Sequence, residues 1–262
     1  YFALPSNLTT KAGLHTNAIL GFSNTFSKLL SKRIPEYAAV VFDAPGGSFR
    51  KEKFADYKAQ RPKADDDLIE QLPWIDKVVD AHNFPILRIP GFEADDVIGT
   101  LAHKARLAGM EVIIISSDKD FAQLIDEQVK MHDSFRDVTY DPELVRKKWG
   151  VPPHQFRDYL ALVGDKVDNI PGVPGIGPKG ASTLLDTYGT LSQIYANLDK
   201  VVGKTKTNLE EFRAQAFLSQ ELATIELAVP LPLELSDLRY QHPKVSELND
   251  LYRELEFYSL LS

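Results

Sequence analysis

The sequence predicts an α/β fold: a mainly parallel sheet flanked by helices, followed by a helical C-terminal region. Three observations predict it. Short apolar or β-branched runs alternate with helical patterns over the first part of the chain. Acidic residues stand where apolar runs stop, as in AVVFD, RIPGFEADDVIG and VIIISSDKD. Beyond residue 141 the strand-like runs cease, and a Gly- and Pro-rich stretch, DKVDNIPGVPGIGPKGAS, lies among helical patterns.

The strands read as Ala38–Phe42, Pro85–Ile89 and Val112–Ser116, each bounded by turn residues. Between the last two, Val97, Ile98, Leu101, Ala102 and Ala105 fall on one helical face. Val129–His132 and Asp137–Tyr140 read as a small hairpin. Asp141 and Pro142 form an N-cap and first-turn pair, with Gly150 as the stop. A second helix spans about Pro153–Val163 and ends at Gly164, and another starts at Pro178 and runs to about Tyr188. The change of character places a domain boundary near 150, dividing the chain into 1–150 and 151–262. In a sheet of this kind ligands gather at the carboxyl ends of strands.

At 262 residues the chain can bury a full core. It has no cysteine, which excludes disulfides, thiolate catalysis and Cys-based zinc sites. Its six histidines are scattered without metal-ligand spacing, so any metal is held by oxygen, which favours Mg²⁺ or Mn²⁺. No apolar run approaches the ~20 residues that span a bilayer. The opening YFALPSNLTTKAGL lacks the basic start and apolar stretch of a signal peptide. A cytoplasmic location with no membrane partner is expected.

The candidate metal ligands are Asp43, Glu93, Asp95, Asp96, Asp118, Asp120, Asp165 and Asp168. Taken singly, each reads as a turn former or a helix cap. Taken together they come from four segments, three of which follow strands, and Asp43, Asp118 and Asp120 are expected on one edge of one sheet. Carboxylates that meet in this way repel one another unless cations intervene. A formal net charge of -7 argues against a nucleic-acid binder, but omitting eight metal-bound acids turns it into about +1.

Between Arg50 and Lys63 six basic residues face two acidic ones. Within this segment Arg50, Phe54, Tyr57, Lys58 and Arg61 would share one helical stripe, of cations interleaved with aromatic rings, ended by Pro62. An ordinary solvated helix is one reading. A surface that grips phosphate and stacks on bases is the other, favoured because the stripe is too polar for a core. In GVPGIGPKGAS, backbone N–H groups around Gly175 and Gly177, with Lys179, can point at a phosphate oxygen without reading base identity, although a plain inter-helix turn has the same composition.

With TNAILGF, AAVVFDAPGGSFR, DYKAQRP, GFEADDVIGTLA, SSDKDFAQL, YLALVGDKVDNIPGVPGIGPKGA and LEFYSLL in this order, the chain resembles the 5′ nuclease (5′-3′ exonuclease) domain of bacterial DNA polymerase I, in the flap endonuclease superfamily. The resemblance implies a PIN-like or resolvase-like sheet domain, a helical arch over 49–73, and a C-terminal helix-three-turn-helix subdomain that holds duplex DNA. It implies two Mg²⁺ (or Mn²⁺) ions on the eight acids, Lys58 and Arg61 as catalytic cations near the scissile phosphate, and K⁺ at the Gly175–Lys179 loop. It implies a structure-specific nuclease for DNA with a 5′ end or flap, acting in replication and repair as a monomer, with a polymerase domain following in some relatives. The family's first Asp-Gly motif, with its strand, is expected upstream of Tyr1. The alternative is therefore a non-catalytic DNA-binding module.

Overall fold

The computed structural model describes residues 4–261. The elements begin with α1 (Asn17–Lys32), β1 (Val40–Val41), α2 (Phe49–Lys53), α3 (Asp66–Ala81), β2 (Ile86–Leu87), α4 (Ala94–Leu107) and β3 (Val112–Ile115). They continue with β4 (Val129–Asp133), β5 (Val138–Tyr140), α5 (Pro142–Trp149), α6 (Phe156–Val163) and α7 (Pro178–Tyr188). The last are α8 (Leu191–Ala196), α9 (Gly203–Glu211), α10 (Arg213–Ala223) and α11 (Val245–Glu254). No helix is long and apolar enough to cross a membrane among the described residues.

The chain packs as two compact units that interleave in sequence. The first comprises Tyr1–Asp43, Pro62–Ile89 and Leu231–Ser262. Here α3 packs on α1 and α11, around a core that includes Ile19, Val78, Val79 and Tyr252. The start of α1 has no capping side chain of its own at Thr16. Buried Gln71 of α3 serves instead: its Oε1 accepts the Ala18 N–H at 2.8 Å while its Nε2 donates to Asn17 Oδ1 at 3.0 Å. In this unit β1 and β2 pair in parallel, Val40 with Ile86 and Val41 with Leu87.

The second unit comprises Ala44–Arg61 and Pro90–Pro230. Its sheet has the order β3-β4-β5, with β3 parallel to β4 and β4 antiparallel to β5. The five strands thus form two sheets among the described residues. This corrects one expectation: Asp43 follows a strand of one sheet, while Asp118 and Asp120 follow a strand of the other. Each of β2 and β3 hydrogen-bonds to a single neighbouring strand among the described residues, so the three acids do not follow strands of one sheet.

Helices α6 to α10 share one core with β3–β5, through Phe121, Met131, Val145, Phe156, Leu160, Leu162, Leu185, Leu191 and Leu222. Burying a side chain such as Phe156 in full stabilises the fold by about 1.5–3 kcal/mol. Helix α5 starts where Asp141 accepts the Leu144 N–H at 2.8 Å and stops at Gly150, whose φ of 78° suits a residue without Cβ. Helix α6 ends likewise at Gly164, with φ 77°.

The β4–β5 hairpin is closed by buried Asp133. Its Oδ1 accepts the N–H groups of Phe135 (3.1 Å) and Arg136 (3.0 Å), and its Oδ2 accepts Arg136 Nη1 at 2.7 Å. Burial pushes the carboxyl pKa up, but the Arg136 bonds and charge outweigh it and the net shift is downward from 3.8. A depressed folded-state value means that this contribution is present above pH 3.8 and is lost as pH falls through the lower folded value. Asp133→Asn is expected to lower stability by about 1 kcal/mol at neutral pH. The urea midpoints of variant and parent should converge on acidification below that range.

Candidate active site

Five stretches of the second unit carry the candidate residues other than Asp43. The first is Phe49–Arg61. Helix α2 lasts only five residues, because Phe54 turns extended (φ -142°, ψ 102°). Successive turns follow, closed by Tyr57 N–H to Phe54 O, Ala59 N–H to Asp56 O and Arg61 N–H to Lys58 O. The single helical stripe expected over Arg50 to Arg61 is therefore not formed. Arg50 and Tyr57 are buried, and Phe54 packs on the core. Burial takes Arg50 and Tyr57 out of the expected contact with DNA, and Phe54 is partly covered by the core. Lys58 and Arg61 remain at the surface, Lys58 in a left-handed conformation (φ 55°) that costs a non-glycine residue about 1–2 kcal/mol.

Two bonds hold that turn against the Gly164–Gly172 loop. Lys58 N–H donates to Asp168 O at 3.0 Å, and Asn169 Nδ2 donates to Asp56 O at 2.7 Å. Asn169 is itself left-handed (φ 55°). Sequence reading passed over Asn169, although an Asn directly after the acidic pair is a residue type suited to that backbone. The loop is closed by reciprocal bonds between Asp165 and Ile170, and Asp165 Oδ1 accepts the Val167 N–H at 2.8 Å.

The second stretch opens α4. Glu93 is its N-cap, and Asp96 Oδ2 accepts the Glu93 N–H at 3.2 Å. The third follows β3. Asp118 Oδ1 accepts the Asp120 N–H at 3.0 Å, which starts a short 3₁₀ turn over Lys119–Leu124. The capping roles read from sequence are thus real, and several of these acids also share cationic partners.

Side-chain contacts show how they meet. The single Tyr57 O–H proton is shared between Glu93 Oε2 (3.0 Å) and Asp168 Oδ2 (3.3 Å). Burial, then the Glu93 and Asp168 charges, raise the Tyr57 pKa, so the phenol stays a donor. Lys58 Nζ lies 2.9 Å from Glu93 Oε1 and 3.6 Å from Asp168 Oδ2, and Arg61 Nη2 donates to Asp168 Oδ1 at 2.6 Å. Lys119 pairs with Asp165 and lies 3.7 Å from Asp120 Oδ1. Sequence reading missed Lys119 too; a lysine held between Asp118 and Asp120 was the available signal.

Asp120 records the crowding. Burial first, then the charges of Asp118, Asp165 and Asp168, push its carboxyl up to about 7 against the opposing pull of Lys119. Its buried Oδ1 has no hydrogen-bond partner. Asp95 is half-buried in the first turn of α4. Asp43 is exposed and follows β1 in the first unit. No three of these carboxylates approach one another closely enough to grip an ion as they stand, among the described residues. Lysine and arginine lie between them instead. An oxygen-only donor set that already demands interposed positive charge fits a hard divalent cation.

Gly175 and Gly177 are exposed in the turn before α7, and Lys179 is exposed in its first turn. Asn208 of α9 braces that turn by donating Nδ2–H to Pro174 O at 2.8 Å, and Gly175 has φ 81°. Backbone and cation are accessible there.

Comparison with known proteins identifies the family and the fold. A family model described as the 5′-3′ exonuclease N-terminal resolvase-like domain matches residues 1–150. Another, the 5′-3′ exonuclease C-terminal SAM fold, matches 151–246. The chain is 42% identical over 265 residues to a 5′-3′ exonuclease of Aquifex aeolicus, covering 100% of this chain and 89% of that protein. It is 42% identical over 268 residues to DNA polymerase I of Caldicellulosiruptor bescii, covering 100% of this chain but 31% of the relative. The chain thus spans about a third of that polymerase's length. Among solved structures, the flap endonuclease of bacteriophage T5, in a complex with DNA and metal ions, has the same fold. It superposes with a TM-score of 0.69 at 22% identity, over 92% of this chain and 90% of that one.

Proposed function

Since the chain belongs to the 5′-3′ exonuclease family, we propose that it hydrolyses phosphodiesters in DNA as a structure-specific 5′ nuclease, acting on 5′ ends and flaps. The observation that carries this reading is a set of acids interleaved with cations: Glu93 and Asp168 on Lys58 and Arg61, and Asp120 and Asp165 on Lys119. Buried acids with cations at the rim match the needs of a phosphate ester held over metal. Glu93, Asp95, Asp118, Asp120, Asp165 and Asp168 would hold divalent ions, Mg²⁺ or Mn²⁺ by donor chemistry. Bound there, such ions neutralise the phosphate and lower the pKa of the attacking water.

The chain's own residues account for the rest. Lys58 and Arg61 would meet charge developing on the phosphate oxygens, Arg61 from the more exposed position. The left-handed turn at Lys58 and the Asn169 clasp fix where those cations stand. Tyr57 keeps Glu93 and Asp168 together from beneath. The Gly175–Lys179 turn and the start of α7 hold a duplex backbone without reading sequence. A K⁺ ion at that turn belongs to the same reading and rests on the family resemblance.

Lys179→Ala is expected to weaken DNA binding by a similar factor for all sequences and to reduce the salt slope by about 1. Filter binding across a salt series measures it, and a base-dependent loss would contradict the phosphate clamp. The activity itself is tested by offering a 5′-flapped DNA duplex and an RNA strand of the same sequence in Mg²⁺. Preferred cleavage of the DNA flap is expected, and equal or preferred RNA cleavage would overturn the substrate assignment.

A further inference from the structure

We propose that Arg50 and Asp96 form a buried positioning pair that sets the place of Glu93, and that Asp96 is not itself a metal ligand. The inference rests on the nuclease reading above for its link to metal, and on hydrogen-bond geometry for the pair itself.

Arg50 is 3% exposed and all its donors are engaged. Nε donates to Leu222 O at 2.9 Å. Nη1 donates to Asp96 Oδ2 at 2.7 Å and to Glu93 Oε2 at 3.4 Å. Nη2 donates to Asp96 Oδ1 at 2.7 Å and to Thr224 O at 2.6 Å. A planar fork of this kind matches a carboxylate in a way that an ammonium cannot.

Asp96 is 0% exposed, and its oxygens are equally committed. Beside the two Arg50 bonds, Oδ1 accepts the Glu226 N–H at 2.8 Å and Oδ2 accepts the Glu93 N–H at 3.2 Å. Each oxygen therefore accepts two bonds, which fills the positions through which a carboxylate binds a cation. Ligating a metal would require Asp96 to give up these bonds and leave the guanidinium buried and unpaired.

The pair joins three stretches of the second unit: α2 through Arg50, the start of α4 through Glu93 and Asp96, and the end of α10 with the segment after it through Leu222, Thr224 and Glu226. Thr100, one turn further along α4, continues the seam by accepting the Val229 N–H at 3.1 Å. Glu93 lies at the open end of this seam. Its Oε1 meets Lys58 Nζ and Ser48 Oγ (3.2 Å), so it remains the acid that faces the site.

The two roles for Asp96 predict opposite signs in one experiment. Mn²⁺ affinity of the free protein is measured by calorimetry for the parent, Asp96→Asn, Arg50→Met, Arg50→Lys and the Arg50→Met/Asp96→Asn double variant, with Glu93→Gln alongside. A positioning pair predicts that Asp96→Asn and Arg50→Met each weaken Mn²⁺ binding on the order of 10–100-fold. Arg50→Lys fails to rescue, and the double variant is no worse than the worse single one. If Asp96 were a ligand, removing its cationic partner would leave Mn²⁺ affinity unchanged or raise it, and only Asp96→Asn would lose it; that result overturns the proposal. Should Arg50→Met not fold, Arg50→Lys carries the comparison, since it retains the charge: parental affinity there overturns the proposal. If the parent itself binds no Mn²⁺, the nuclease reading fails rather than the pair. The pair is then read from thermal melts of the same variants, where additive single effects would overturn it.

Discussion

Asp118→Asn is expected to reduce cleavage of a 5′-flapped duplex on the order of 10²–10³-fold, the range seen when one preorganised electrostatic element is removed from a catalytic site. The reason is specific to this residue. Asp118 Oδ1 accepts the Asp120 N–H, and an asparagine keeps that oxygen while losing the charge. The 3₁₀ turn over Lys119–Leu124 is therefore retained, and the thermal midpoint should stay near that of the parent. What changes is the field. Asp118 is among the charges that raise the Asp120 pKa, so its neutralisation lowers that value and weakens the site's demand for positive charge. Steady-state cleavage rates, with a melting curve as control, check this, and an unchanged rate in a folded variant contradicts a role in the reaction.

Gly172→Ala should be the most damaging single methyl in the second unit, costing more than about 3 kcal/mol, in the class of strain at a special backbone conformation. Gly172 has φ 65°, and a Cβ there would lie 2.7 Å from the carbonyl carbon of Val163. Gly164 faces it with φ 77°, and its own Cβ would meet Ile170 O at 2.6 Å. The colliding atoms are backbone, which cannot swing aside. The two glycines let the strand of chain leaving α6 touch the returning end of the loop, and Asp165 and Asp168 stand between them. Loss of this approach should lower both the urea midpoint and the cleavage rate. Retention of parental stability would show that the loop is not held by that contact.

Much of this was legible in the sequence because local chemistry decided it. Val112–Ile115 is a β-branched run and forms the predicted strand, Asp141 and Gly150 bound α5 as cap and stop, and Pro178 opens α7. The acidic set was legible from its position after apolar runs, although no three of its carboxylates come close enough to grip an ion among the described residues. What failed was periodicity across a break. Extending a helical stripe from Arg50 to Arg61 assumed that α2 continues, whereas it ends at Lys53, and Tyr57 then turns inward between two carboxylates. Nothing local separates a buried Arg50 from an exposed Lys51, because its partners Asp96, Leu222 and Thr224 are distant in the chain. Tertiary contacts of that range decide the roles of individual acids, even when the acidic set is plain.

The most direct test of the metal-dependent nuclease account is the chemistry of the product ends. The chain is incubated with a 5′-flapped duplex, with and without Mg²⁺, and the termini are identified by mass spectrometry. The account predicts cleavage that requires the ion and leaves a 5′-phosphate on one product and a 3′-hydroxyl on the other. Cleavage that persists in chelator, a 3′-phosphate terminus, or an intact flap in the presence of Mg²⁺ would contradict it.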